Sequence, residues 1–187
     1  MEETSIILVP FGEIEKNLLE KLRDELKFIF HPLPVTISKA IPVPLDAYNS
    51  SRGQYHSSYF LEALRKFADK CSKFLGITSL DLFTNGLNFI FGQAVIDGNV
   101  CVISTHRLRP EFYGLPFNEK ILIERSVKEA VHELGHSFSL KHCFNPRCVM
   151  YFSNHVLDTD HKGKNFCENC LLILRKKIKL NSREVIN

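Results

Sequence analysis

The sequence predicts an α/β protein: a helix-crossed sheet carrying one antiparallel strand, followed by an irregular lobe. Three observations predict it. Short apolar runs alternate with helical stripes along the first two-thirds of the chain, Asp97-Gly98 joins two apolar runs as a hairpin signal, and regular periodicity stops after residue 138. At 187 residues the chain lies within the range of one domain with a sizeable core, without help from disulfides. With 24% charged and 11% aromatic residues, neither disorder nor a fibrous repeat is compatible. A net charge of +3 is too small to imply nucleic acid. The acidic start, Met1 to Ser5, leads into a short apolar run that is neither a signal peptide nor a membrane span, so a cytoplasmic protein is expected. In a reducing compartment the six cysteines read as metal ligands or core thiols rather than as a disulfide framework.

Residues 6–9 read as a strand, and residues 13–30, with Ile14, Leu18, Leu22 and Leu26 in helical phase, as a helix. Residues 35–38 alternate between prolines and suit a strand, and polar residues 49–54 suit a loop. Phe60, Leu64, Phe67, Cys71 and Phe74 form a stripe that predicts a helix over 59–75 with Cys71 in the core. Strands follow at 78–83, 89–96 and 99–104, the last two joined by a two-residue turn at Asp97-Gly98, with Cys101 as a core thiol. Residues 118–138 carry Ile123, Val127, Ala130, Val131, Leu134 and Phe138 on one face of a helix that Asn118 can cap. Residues 139–166 have no long apolar period and cannot order themselves, so something else must hold them. Leu171, Leu174 and Ile178 mark a closing helix that also bears Arg175, Lys176, Lys177 and Lys179. One domain, 1–187, is therefore expected in two parts, an N-terminal subdomain 1–138 and a C-terminal subdomain 139–187.

The helix 118–138 contains His132-Glu133-Leu134-Gly135-His136, whose histidines lie one turn apart on one face and can both reach a Zn²⁺ at about 2.0–2.1 Å. His142 adds a third. On a continuous helix it would lie about 9 Å beyond His136 and rotated off the shared face, so the helix must break just after His136. With these three histidines the sequence resembles the metzincin peptidases, whose long histidine motif is followed by a methionine turn. It departs from them at Ser139, where the motif has glycine; a non-glycine residue in left-handed conformation costs about 1–2 kcal/mol.

Cys143, Cys148, Cys167 and Cys170 then form C-x4-C and C-x2-C separated by 18 residues, the spacing of a four-cysteine zinc site. Such a site supplies on the order of 10 kcal/mol and would organise the aperiodic segment. Neighbours His142 and Cys143 point opposite ways on an extended chain, so one can serve each metal. Residues 132–170 as a whole resemble the archaemetzincin (archaelysin) family, which joins the histidine motif to C-x4-C-x-M and a later C-x-x-C; here 16 residues separate Met150 from Cys167. The resemblance implies a metzincin-like twisted mixed sheet with an antiparallel edge strand, an active-site helix and a small zinc-bound C-terminal subdomain. It also implies a zinc-dependent peptidase with two Zn²⁺ per chain: His132, His136 and His142 on the catalytic zinc, Glu133 as acid and base, Cys143, Cys148, Cys167 and Cys170 on a structural zinc, and Met150 in the methionine turn.

In that reading a zinc-bound water, deprotonated by Glu133, attacks a peptide carbonyl, and Glu133 passes the proton to the leaving amine. A substrate strand pairing with residues 89–96 follows from the family's architecture. Gly135 is a spacer that permits close packing behind the helix. His106, His155 and His161 are weaker candidates for the cleft, and Tyr151 for oxyanion stabilisation; the basic residues 175–179 suit a helix C-terminus better than nucleic acid. The expected partners are peptides or unfolded proteins, with no membrane or nucleic acid, and the expected state is a monomer. The competing reading is a zinc-structured binding protein with a vestigial or latent peptidase site. Glu133 separates the two, because a purely structural cluster needs no acid there.

Overall fold

The computed structural model describes residues 4–69 and 71–184, with side chains described up to residue 178. Its main sheet has the order β2-β1-β5-β8-β7. Strands β1 (Ile6–Pro10), β2 (Val35–Ile37), β5 (Lys73–Thr78) and β8 (Val100–Ser104) run parallel, and β7 (Gly92–Ala94) lies antiparallel to β8 at one edge. β3 (Tyr48–Asn49), β4 (Gln54–His56) and β6 (Leu82–Phe83) form a separate small sheet.

Strand alternation sorts the core into two. Ile6, Leu8, Leu75, Ile77, Cys101 and Ile103 face α1 (Lys16–Ile29) and α3 (Glu119–Ser137), while Phe74, Val100 and Val102 face Phe60 and Leu64 of α2 (Ser57–Arg65). Every residue of β5 is buried, as expected of a strand covered on both faces. Cys101 is completely buried, and its Sγ lies 3.7 Å from the Phe74 carbonyl oxygen. Asn118 caps α3, its Oδ1 accepting from the Ile121 amide at 3.1 Å. Beyond α3 the chain is irregular apart from the short α4 (Val156–His161) and the closing α5 (Glu168–Glu184). Leu174 and Ile178 of α5 join the same core as α1 and α3. No helix among the described residues is long and apolar enough to cross a membrane.

Two expectations are corrected. The predicted helix 59–75 ends at Arg65, and Phe74 and Leu75 belong to β5. Phe67 is mostly exposed and Cys71 is half-buried in the connection rather than in the core. Phe74 shares the phase of the helical stripe, but the run from Phe74 to Ile77 gains more by pairing with β1 and β8 and burying both faces. The second correction is the hairpin turn. The Gly98 amide donates to Val95 O and the Val95 amide to Val100 O, leaving residues 96–99 as the loop, with Asp97 rather than Gly98 at positive φ (55°). The Asp97 amide donates to the His136 carbonyl oxygen at 3.2 Å, so the loop is shaped by the helix it meets.

Candidate active site and metal centres

α3 stops where the third histidine requires. The Ser139 amide donates to His136 O at 2.9 Å and the Leu140 amide to Gly135 O at 3.0 Å, the paired bonds of a Schellman ending. Ser139 takes the left-handed position usually given to glycine, at φ 69°. Its hydroxyl donates to the Asp97 carboxylate, which also faces Lys177 Nζ at 3.5 Å. The chain then doubles back and brings His142 to His132 and His136, with ring centroids 5.3 and 4.8 Å away.

The ring orientations follow from backbone acceptors. His132 Nδ1 donates to Val149 O and His136 Nδ1 to Leu140 O, each at 2.8 Å. With both Nδ1 protonated, both Nε2 atoms present lone pairs, yet they face each other at 3.1 Å. Two acceptors at that distance repel unless a cation lies between them. Tetrahedral nitrogens at zinc distance would stand roughly 3.3 Å apart. Ligand atoms of the three histidines all lie within 4.8 Å of one another. Burial pushes the pKa of His132 well down, and those of His136 and His142 down, which favours neutral imidazoles with free lone pairs. The set fits a zinc ion.

Glu133 lies beside the histidines, buried, and burial followed by the nearby charge of Glu129 pushes its carboxyl pKa well up. Its room comes from Gly92 on the edge strand: a Cβ there would lie 2.6 Å from Glu133 Cγ. Glu129, one turn earlier on α3, is also buried; it pairs with Lys162 Nζ at 3.0 Å and accepts from Thr159 Oγ1 at 3.1 Å. Both carboxylates and the three histidines line a cleft of about 420 Å³, with residues 87–94 and Ile96 as one wall and residues 152–154 on the other side. Behind α3 sits Met150, wholly buried; a Cβ on Gly135 would lie 2.4 Å from its Sδ, so that glycine does permit close packing.

Cys143, Cys148, Cys167 and Cys170 converge with their sulfurs within 4.8 Å of one another. Cys143 Sγ and Cys167 Sγ are 3.8 Å apart, close to the roughly 3.8 Å edge of a tetrahedron with 2.3 Å zinc–sulfur bonds. The Cys167 amide donates to Cys148 Sγ at 3.3 Å, and the Cys143 amide donates to Met150 O at 2.9 Å, tying this cluster to the residue beneath the histidines. This donor set also fits zinc.

The weaker candidates lie elsewhere. His106 meets Phe112 edge to face at 5.2 Å, His155 caps α4 and pairs with Asp158 at 2.7 Å, and His161 Nδ1 donates to Leu157 O at 2.7 Å; none of them, nor Tyr151, lines the cleft. Sequence reasoning missed Gly92, Glu129, Lys162 and the two carbonyl acceptors. Glu129 carried a signal, lying three and four residues before His132 and Glu133 on the same helix; Lys162, inside the aperiodic stretch, carried none.

The sequence profile described as peptidase family M54 matches residues 3–176. The chain belongs to that family. Among M54 relatives, the archaemetzincin of Pyrococcus furiosus is 42% identical over 179 residues, covering 92% of this chain and 93% of its own. That of Methanocaldococcus jannaschii is 41% identical over 172 residues, with coverage of 92% and 93%. The crystal structure of archaemetzincin from Methanopyrus kandleri superposes with a TM-score of 0.84 at 36% identity, covering 95% of this chain and 96% of that one. That of Archaeoglobus fulgidus, complexed with malonate, gives 0.78 at 37%, covering 90% and 99%. The M54 chain is a zinc metallopeptidase of mixed α/β fold, and its histidine and cysteine clusters fit a catalytic and a structural zinc.

Proposed function

We propose that His132, His136 and His142 hold the catalytic zinc, that Glu133 is the acid and base of peptide hydrolysis, and that Cys143, Cys148, Cys167 and Cys170 hold the structural zinc with Met150 in the turn between the two. The observation that carries this reading is the pair of Nε2 lone pairs facing each other at 3.1 Å beside a buried carboxyl group on the floor of an open cleft. Bound zinc would polarise the scissile carbonyl and bring the pKa of a water toward neutrality. Glu133 takes the proton of that water and returns it to the leaving amine. Val149 O and Leu140 O hold the imidazoles in one tautomer and orientation.

The substrate is a peptide or unfolded polypeptide in extended form. β7 pairs with β8 along one side, and its other side borders the cleft, where an added strand can bond to it. The protein acts as a cytoplasmic monomer without nucleic acid; the second zinc cross-links its C-terminal subdomain 139–187 internally, and Leu174 and Ile178 pack that subdomain onto subdomain 1–138.

Metal analysis and peptide-library hydrolysis with wild type and Glu133→Ala test this. Two zincs per chain in both proteins, with hydrolysis lowered about 10²–10⁴-fold in the variant, are expected. Hydrolysis indifferent to Glu133 would sink the assignment. Absence of hydrolysis by the zinc-loaded wild type would favour a zinc-structured binding protein.

A further inference from the structure

We propose that Phe112 and Tyr113, backed by Arg107, form an extended subsite beyond the Phe89 end of the cleft, which receives an aromatic or large aliphatic side chain of the polypeptide substrate. The proposal rests on the peptidase reading of the cleft and adds a determinant of which polypeptides are cut.

Four large apolar side chains, Phe112, Tyr113, Leu115 and Phe117, stand 41–62% exposed within a six-residue stretch. Such a concentration on a surface marks a binding face. Its Phe112–Tyr113 end adjoins the cleft. Arg107 Cζ lies 4.3 Å over the ring of Phe89, which lines the cleft, and 4.8 Å over the ring of Phe112; Tyr113 meets Phe112 edge to face, with ring centroids 5.0 Å apart. Phe89, Arg107, Phe112 and Tyr113 thus form one contiguous row of side chains that begins at the Phe89 wall of the cleft.

The chemistry of the row points to an apolar occupant. Arg107 donates to both oxygens of Asp81, at 2.7 and 2.8 Å, so its charge is already matched and it acts as a packed link between the two rings rather than as a receptor for an acid. The exposed parts of Phe112 and Tyr113 suit an aromatic ring or a broad aliphatic group.

The row is also held in shape before anything binds. The Tyr113 hydroxyl donates to Arg107 O at 2.9 Å, and Gly114, at φ 72°, closes the turn Pro110–Tyr113 with its amide on Glu111 O at 3.0 Å. Arg125 of the catalytic helix donates to Leu108 O at 3.0 Å, anchoring the segment to α3. A surface fixed in this way loses little entropy on binding.

Its reach can be bounded. From Gly92, which abuts Glu133, to Phe89 is at most about 10 Å of extended chain, and the stack adds roughly 9 Å more. The side chain received therefore lies at most about six residues from the bond that is cut, within the span of a dodecapeptide.

The test compares mixed-sequence tetrapeptide and dodecapeptide libraries cut by the zinc-loaded wild type, Phe112→Ala and Phe112→Tyr, with products read by mass spectrometry and the association state by sedimentation. Expected is about a tenfold loss of kcat/KM on dodecapeptides in Phe112→Ala, no change on tetrapeptides, and retention by Phe112→Tyr. Wild-type cleavage should show enrichment of aromatic or aliphatic residues at a fixed distance from the cut, and that enrichment should vanish in Phe112→Ala. Equal losses on both lengths, no loss on either, enrichment of acidic residues, or a wild-type dimer that Phe112→Ala dissociates would each overturn the subsite and leave the peptidase reading intact. No cleavage of either library by wild type would overturn the peptidase reading, and the subsite with it.

Discussion

The histidine and cysteine clusters meet at adjacent residues, His142 and Cys143, yet they are supported in opposite ways. Two of the three histidines stand on a 19-residue helix packed into the main core, with both rings oriented by backbone carbonyls. The cysteines stand on a stretch whose only regular pieces are the six residues of α4 and the start of α5, and their converging sulfurs are where a bound zinc would cross-link it. The difference teaches that one metal is held by the fold while the other helps to make the fold. Losing the first should silence chemistry and leave structure; losing the second should loosen the structure that presents His142, Val149 and Met150.

Paired substitutions test this contrast most directly. Cys148→Ser should lose one of two zincs and about 4–5 kcal/mol of stability, read by metal analysis and denaturant melts. His142→Ala should also lose one zinc, and hydrolysis with it, but melt within about 1 kcal/mol of wild type because the side chain is exposed. Equal melting of the two variants would break the distinction.

A smaller effect probes the helix-held side alone. Gly92→Ala places a Cβ 2.6 Å from Glu133 Cγ and must displace the carboxyl group, so kcat should fall by about 10²-fold while both zincs and the melting temperature stay near wild type. Loss of zinc instead would show that Gly92 supports the ligands rather than the acid.

The smallest effect concerns the turn that joins the two clusters. The Ser139 hydroxyl, followed by Lys177, holds the Asp97 carboxyl below the usual carboxylate range. A lowered folded pKa gives stability above the unfolded value of about 3.9, lost as pH falls through the folded value. Ser139→Ala should therefore cost at most about 1 kcal/mol at pH 7, a deficit that shrinks below about pH 4. Ser139→Gly loses the same bond but sheds a left-handed cost of about 1–2 kcal/mol, so it should melt at or slightly above wild type. A deficit independent of pH would show that the Asp97 contact is not its source.

Much of the site was legible because its chemistry sits at short, regular spacing. The histidines of one helix turn, the helix break demanded by His142 and the four cysteines follow from residue type and rise per residue, and the structure brings each group together. The antiparallel edge strand was readable from two apolar runs around Asp97-Gly98, although the loop proved longer because Asp97 bonds to the end of α3. Helix 59–75 was misread because Phe74 kept the phase of a helical stripe while its partners in β1 and β8 lay far away in sequence.

The sequence by itself determined the two donor sets, the carboxyl group beside the histidines, the helix that carries them with its cap, and the need for something to organise residues 139–166. These are local properties, carried by neighbours within a few turns of chain. Only the tertiary structure decided that β5 would be buried on both faces, that Gly92 would leave room for Glu133, that Lys162 would lie against Glu129, and that Val149 and Leu140 would orient the imidazoles. Each of those joins segments brought together by the fold, through backbone groups or close packing that no residue type announces in advance.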